Sequence, residues 1–195
     1  YSEAKLGEAA AKIGATKGGA MEVVLYEKIS IGSGSQANNP WLQELPDPIT
    51  KVTWDNYAMM SPELAKQLIK IDVLHNQREA DAYEVTPEKP VVKVTANGKS
   101  IELPVLILPG IHASTIAIAV GYGRSSADSK KSLDRIGRAA TNAGKNAFPM
   151  LAFDGSSFLT NAVVTAEKAN VDDYPLAQTQ VHGNWEKRPI IYETN

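Results

Sequence analysis

"VVKVTANGKSIELPVLIL", Val91–Leu108, is the stretch on which the fold turns. Two runs rich in β-branched and aliphatic residues flank Asn97-Gly98, and an Asn-Gly pair tolerates the positive φ angles that a two-residue turn demands. The stretch predicts a tight antiparallel hairpin.

Working outward, further segments share this strand character. "MEVVLYEKISIG" (21–32) reads as a buried strand and "ITKVTWDNYAMM" (49–60) as the next. "TIAIAVGYGR" (115–124) reads as a strand ending in glycines, and "FPMLAFDG" (148–155) and "SSFLTNAVVTAEKA" (156–169) as two late strands. Helical signals are fewer. "SEAKLGEAAAKIG" places Leu6, Ala10 and Ile13 at helical spacing. "SPELAKQL" has Ser61 as N-cap, Pro62 at the first helical position and Glu63 in the first turn. "HNQREADAYEVTPEKP" (75–90) reads as a polar, exposed excursion, residues 125–146 as a long loop, and the tail from Asp172 as an arm crossing a surface. Six or seven strands with few helices imply a mainly β fold, a barrel with long irregular loops.

The bulk numbers agree with one globular domain. The chain has 195 residues, 43% hydrophobic and 22% charged, enough for a real core. A net charge of −2 and a pI near 6.0 supply no basic excess for general nucleic-acid binding. There are no cysteines, hence no disulfide and no thiolate metal or iron–sulfur ligand in these residues. His75, His112 and His182 stand far apart, outside any metal-ligand spacing. No apolar run approaches the roughly 18 residues of a membrane span. The start at Tyr1 rather than Met and the end at "YETN" suggest a piece of a longer chain.

Enzyme constellations find little support. Ser125 and Ser126 lie near His112 and Asp128 in sequence, but no nucleophile-elbow pattern surrounds them. Asp172-Asp173 reads as a solvated turn and His112 as an exposed turn residue. "AGKN" (143–146) lacks the Ser/Thr of a phosphate loop, and "GYGR" (121–124) is not GxGxxG. At such a strand end, glycine amides and the Arg124 guanidinium suit a phosphate or carboxylate, though on residues alone a tight turn with a surface arginine is favoured. Trp54 and Tyr57, alternating along the second strand, read as core. The loop "IGSGSQANNPWLQELPDP" (31–48) is the densest in neutral hydrogen-bonding groups.

Taken together, "GSQANNPWLQELPDPITKVTWDN", "SPELAKQL", "LPVLILPGIHASTIAIAVGYGR", "GKNAFPML" and "AQTQVHGNWEKRPIIYET" resemble the C-terminal, molybdopterin-dinucleotide-binding domain of the molybdopterin oxidoreductases. The nearest branch is the large fused molybdopterin/iron–sulfur subunit of bacterial alternative complex III, a quinol-oxidising respiratory complex. The resemblance spans about Met21 to Tyr192 and implies a six-stranded double-psi β-barrel with long loops and a few short helices. Residues 1–20 would be a helical connector from upstream domains, 21–170 the barrel, and 171–195 an extended arm leading to an iron–sulfur domain. Carried over, Ser35, Gln36, Asn38 and Asn39 fall on a first cofactor loop, Gly121, Tyr122, Gly123 and Arg124 on a second, and Asn146 near a third.

The resemblance also carries departures. The family's usual glycine after the "AKxL" helix is replaced by Ile69, with a polar insertion following. The family's metal ligand comes from an upstream domain outside these residues, and the branch looks like a retired molybdoenzyme. The expectation is therefore a fragment that is not catalytic alone and holds no metal or cofactor. Its partners would be the upstream molybdopterin-like and downstream ferredoxin-like domains of the same large polypeptide and other proteins of the complex. It would lie on the periplasmic side of the bacterial inner membrane, attached peripherally through that complex. The alternative is the cofactor-holding domain of an active bis-molybdopterin-guanine-dinucleotide oxidoreductase, with an independent small-ligand-binding barrel as the weaker one.

Overall fold

The computed structural model describes residues 6–8, 10–11, 19–125, 136–153 and 156–181. Six strands close a barrel: β1 (Glu22–Tyr26), β2 (Ala58–Met60), β4 (Val91–Ala96), β5 (Lys99–Ile107), β6 (Thr115–Ala119) and β9 (Asn161–Lys168). Around the ring the order is β1-β6-β2-β5-β4-β9. The pairs β1–β6 and β2–β5 are parallel and the rest antiparallel.

This ring is double-psi. β1 and β2 follow one another in the chain yet flank β6, and β5 and β6 follow one another yet flank β2. Exchanging β1, β2 and β4 for β5, β6 and β9 returns the same ring, with parallel pairs falling on parallel pairs.

Alternation fixes which side chains fill the interior. Val23 and Leu25 of β1, Ala58 and Met60 of β2, Val92 and Val94 of β4, Leu103 and Val105 of β5, and Ile116 and Ile118 of β6 are all buried in one cluster. The predicted hairpin is present, with Ala96 opposite Lys99 and Asn97-Gly98 at φ 50° and 72°. Beside the barrel, α2 (Pro62–Ile69) follows β2 and buries Leu64, Ala65 and Ile69 against it. The Ser61 hydroxyl accepts the Leu64 amide at 3.1 Å, as an N-cap should. A 3₁₀ turn at Phe148–Met150, which follows β6, buries Met150 in the same cluster.

Several local expectations change. Only Ala58–Met60 of the segment 49–60 is a strand. Asp47 Oδ1 accepts the amides of Ile49 and Thr50 (3.0 and 2.8 Å), and Lys51 and Trp54 sit at φ 60° and 66°, a left-handed conformation that no strand holds. Trp54 therefore does not alternate with Tyr57 along a strand, although Tyr57 is buried as expected. The polar excursion contains a helix, α3 (Gln77–Val85), capped by Asn76 and with no residue fully buried. Its Tyr83 hydroxyl donates to Val105 O at 2.8 Å, and buried Lys89 donates to Thr86 O at 2.6 Å just past its C-terminal end. Residues 148–150 are a 3₁₀ turn rather than strand, and the short β7 (Ala152–Phe153) pairs with β8 (Phe158–Leu159) outside the barrel. After α2, the left-handed cap is Lys70 (φ 63°), one residue beyond the Ile69 singled out in the sequence, and Ile69 is buried.

Residues 6–8 and 10–11 are helical. Along the C-terminal arm, β10 (Tyr174–Pro175) pairs with β3 (Glu88–Lys89), Leu176 is buried, and Val52 bridges Gln178. The remainder of the arm, from 182, lies outside the described residues.

Candidate functional site

The loop leaving β1 (residues 27–57) and the described residues between β6 and the 3₁₀ turn (120–125 and 136–147) meet over one region of the barrel and form a cap. Glycines make the meeting possible. Gly34 and Gly121, at φ 101° and 93°, stack backbone on backbone: a Cβ on Gly121 would lie 2.7 Å from Gly34 N, and one on Gly34 2.8 Å from Gly121 O. Gly123 approaches the third loop as closely, since a Cβ there would lie 2.0 Å from Asn146 N. The close approach that glycine permits serves loop-to-loop packing here.

The predicted cofactor residues are placed accordingly. Gly121, Tyr122, Gly123, Arg124 and Asn146 line a single cleft of about 330 Å³, together with Ser125, Ile136 and Phe148. Second and third loops are thus brought together. The first loop stands behind them: Ser35, Gln36 and Asn38 are exposed and Asn39 half-buried, and none of the four lines this cleft.

Most of the polar groups proposed for a nucleotide are already bonded to protein. Asn38 Oδ1 accepts the Ala139 amide at 3.1 Å. Asn39 Oδ1 accepts the Trp41 and Leu42 amides (3.1 and 3.4 Å), capping α1 (Pro40–Glu44). Asn146 Oδ1 accepts the Phe148 amide at 3.0 Å, and the Arg124 guanidinium donates to Gly34 O. The Gly123 amide donates to Ala143 O at 2.7 Å. A cleft of this volume also falls at the low end for a drug-sized ligand.

Beneath the cap lies a buried polar cluster. Lys28, 4% exposed, donates to Asp55 O at 2.8 Å and lies over the rings of Tyr57 (4.4 Å) and Tyr122 (5.2 Å). The Asp55 carboxylate accepts the Gly144 amide (3.0 Å) and the Tyr174 hydroxyl (3.1 Å). Asn56 donates to Ala119 O and Lys145 O (2.8 and 2.9 Å) and accepts the Lys145 amide at 2.8 Å. Thr50 and Tyr57 hydroxyls lie 2.5 Å apart, and Gln43 donates to Ala37 O at 2.8 Å. The "AGKN" amides, reminiscent of a phosphate loop, are answered here by the side chains of Asp55 and Asn56.

Burial is the first cause of every proton-affinity shift in this cluster. It lowers Lys28 to about 8, against the raising influence of Asp47 and Asp55. It raises Tyr26 to about 12, raises Tyr57 and Tyr122 well above the usual phenol range, and raises Asp55. Asp55 has a partner on each oxygen, and Lys28 is enclosed.

A second cleft, of about 400 Å³, opens at the foot of the cap and takes in Asp55, Asn56, Lys145, Tyr174, Glu102 and Asp172. His112 is an exposed turn residue whose Nδ1 lies 3.0 Å from the Ser114 hydroxyl, and Ser126 and Asp128 fall outside the described residues. Among the described residues, no three His, Cys, Asp or Glu side chains group as metal ligands. Sequence reasoning missed Lys28, Asp55 and Asn56. The available signal was polar residues set among aromatics, "YEK" and "WDNY", in runs otherwise built for burial.

No protein-family model matches the chain, and no curated protein matches it.

Proposed function

We propose that the chain is the C-terminal double-psi barrel domain of a molybdopterin-oxidoreductase-like subunit in a quinol-oxidising respiratory complex. In this reading the domain is structural. It completes the fold of the large subunit and presents surface to neighbouring proteins of the complex on the periplasmic side, while electrons pass through clusters and haems elsewhere. The sequence motifs suggest the family, and the ring of two interlocked psi crossovers supports the fold they imply. The observation that carries the structural role is the closure of the cap on itself, with Arg124 and Asn38 bonded across loops. Among the described residues no helix is long and apolar enough to cross a membrane, in keeping with peripheral attachment.

The second reading, a domain that holds bis-molybdopterin guanine dinucleotide in an active oxidoreductase, is favoured by the cleft that Gly121–Arg124 shares with Asn146. Elemental and nucleotide analysis of the full-length protein separates the two. The structural reading expects no stoichiometric molybdenum or tungsten and no guanine nucleotide released on denaturation. Finding both in stoichiometric amounts overturns it.

A further inference from the structure

Val105 and Ile107 of β5 lie where the barrel's hydrogen-bond ladder breaks. Between β4 and β5 every second pair exchanges both backbone bonds, and the series that starts with Ala96 and Lys99 brings Pro90 opposite Val105. The Val105 amide donates to Pro90 O at 2.8 Å. Proline has no N–H to return, so Val105 O lacks its ladder donor. The next such pair would set Glu88 O against the Ile107 amide, but Glu88 and Lys89 pair with the arm at Pro175 and Tyr174 instead. One side chain stands in for both missing groups. The Tyr83 hydroxyl donates to Val105 O at 2.8 Å and accepts the Ile107 amide at 3.1 Å. Tyr83 belongs to α3, and the buried Lys89 ammonium lies 4.3 Å from the centre of its ring. That ammonium also donates to Tyr83 O and Thr86 O, which fastens the end of the helix. Beside the hydroxyl opens a cleft of about 510 Å³, whose walls include Tyr83, Ile107, Leu108, Gln178 and Val181.

We propose that α3 is an edge guard: the Tyr83 hydroxyl fills a slot on β5 that otherwise pairs with the same slot on a second copy of this chain. The slot is self-complementary. Two copies related by a two-fold axis at Leu106 would exchange Ile107 N–H for Val105 O in both directions. That is the bonding around a non-hydrogen-bonded antiparallel pair, and it makes the same contact on both copies. The two groups it needs are the two that Tyr83 now occupies. Strand addition draws its affinity from the main chain and asks little of side chains. Ile107 and Leu108, half-buried at the cleft, would add apolar contact. An open edge of this kind invites pairing, and proteins cover it with a helix or a loop. Here the cover reaches the edge through a single hydroxyl, on a helix that has no residue fully buried.

Tyr83→Phe, which keeps the ring and removes the hydroxyl, tests the proposal on the intact chain. In dilute protein the Ile107 amide should exchange at least about tenfold faster relative to Val94 and Leu103 of the same ladder. Sedimentation velocity at rising concentration should show the variant dimerising where the wild type stays monomeric, and Ile107 should regain protection as the dimer forms. Adding Pro90→Ala restores a backbone N–H opposite Val105 O. It should weaken the dimer at least about threefold, because one of the slot's two groups is answered again. Should the phenylalanine variant fail to fold, Pro90→Ala is compared with the double variant, where the same loss of protection at Ile107 is expected. The proposal is overturned by Ile107 exchange that keeps pace with Val94 and Leu103, by a phenylalanine variant that stays monomeric as concentration rises, or by a dimer that Pro90→Ala leaves as tight.

Discussion

The barrel interior and the loop cap are built from opposite materials. Leu103, Val105, Ile116 and Ile118 fill the barrel with fully buried aliphatic side chains, and their packing depends on volume and not on charge. The cap buries Lys28, Gln43, Thr50 and Asn56 instead, each needing a specific partner at a specific distance. Even there one group goes without: Gln43 Oε1 is buried and has no partner among the described residues. An apolar core is indifferent to pH. A buried polar cap is not, because burial shifts the proton affinities of Lys28 and Asp55.

Breaking the barrel should have the largest effect. Leu103→Ala removes a fully buried side chain from the ring and should cost about 2–5 kcal/mol in urea unfolding, by the same amount at pH 7 and pH 9. A loss that varies with pH would blur the contrast.

Asn56 is the cap's counterpart, with three bonds tying the segment before β2 to Ala119 and Lys145. Asn56→Ala should cost about 2–3 kcal/mol, because it strands buried partners. Its exchange signature should be faster cap amides, with barrel amides changed only through global stability. Equal acceleration in both regions would show that the cap has no independence.

The alkaline stability profile should bend. The unfolded chain holds the Lys28 proton to its ordinary 10.5, whereas the folded chain releases it near 8. Unfolding between about pH 8 and 10 therefore takes up a proton, and stability should rise there by about 1–2 kcal/mol. Above pH 10 the order reverses. Tyr26 keeps its proton to about 12 when folded, with Tyr57 and Tyr122 raised as well, so the unfolded phenols ionise first and stability falls. Guanidinium-induced unfolding from pH 7 to 11 checks the bend; a monotonic fall from pH 8 would refute the Lys28 assignment.

The smallest effect belongs to the barrel's flank. Ser61→Ala removes the N-cap of α2 and should cost about 1 kcal/mol, independent of pH.

Legibility followed the same divide. The hairpin at Asn97-Gly98, the Ser61-Pro62 helix start and the aliphatic strands were readable because their signals are local: turn chemistry, a cap, a period of two. That ring order is double-psi was implied only by the motifs, since no periodicity states which strands become neighbours. The stretch 49–57 misled because its β-branched and aromatic residues match strand composition, while Asp47, left-handed Lys51 and Trp54 turn the chain instead. α3 was hidden by its polarity, with Tyr83 as its link to β5. At the site, the glycines and amides of the three loops were visible as types, and their meeting was anticipated. That they bond one another was not visible, because Gly34 meets Gly121, and Asn38 meets Ala139, only once the barrel has closed.

On the structural reading we propose, the cap is closed on itself and holds no guanine dinucleotide. Titrating the protein with guanosine diphosphate, as the nucleotide end of that cofactor, while following the amide signals of Gly34, Gly121, Gly123 and Asn146 by NMR, tests it most directly. No saturable change is expected at these positions at pH 7 up to millimolar nucleotide. Saturable shifts confined to these amides, abolished by Arg124→Ala, would contradict it.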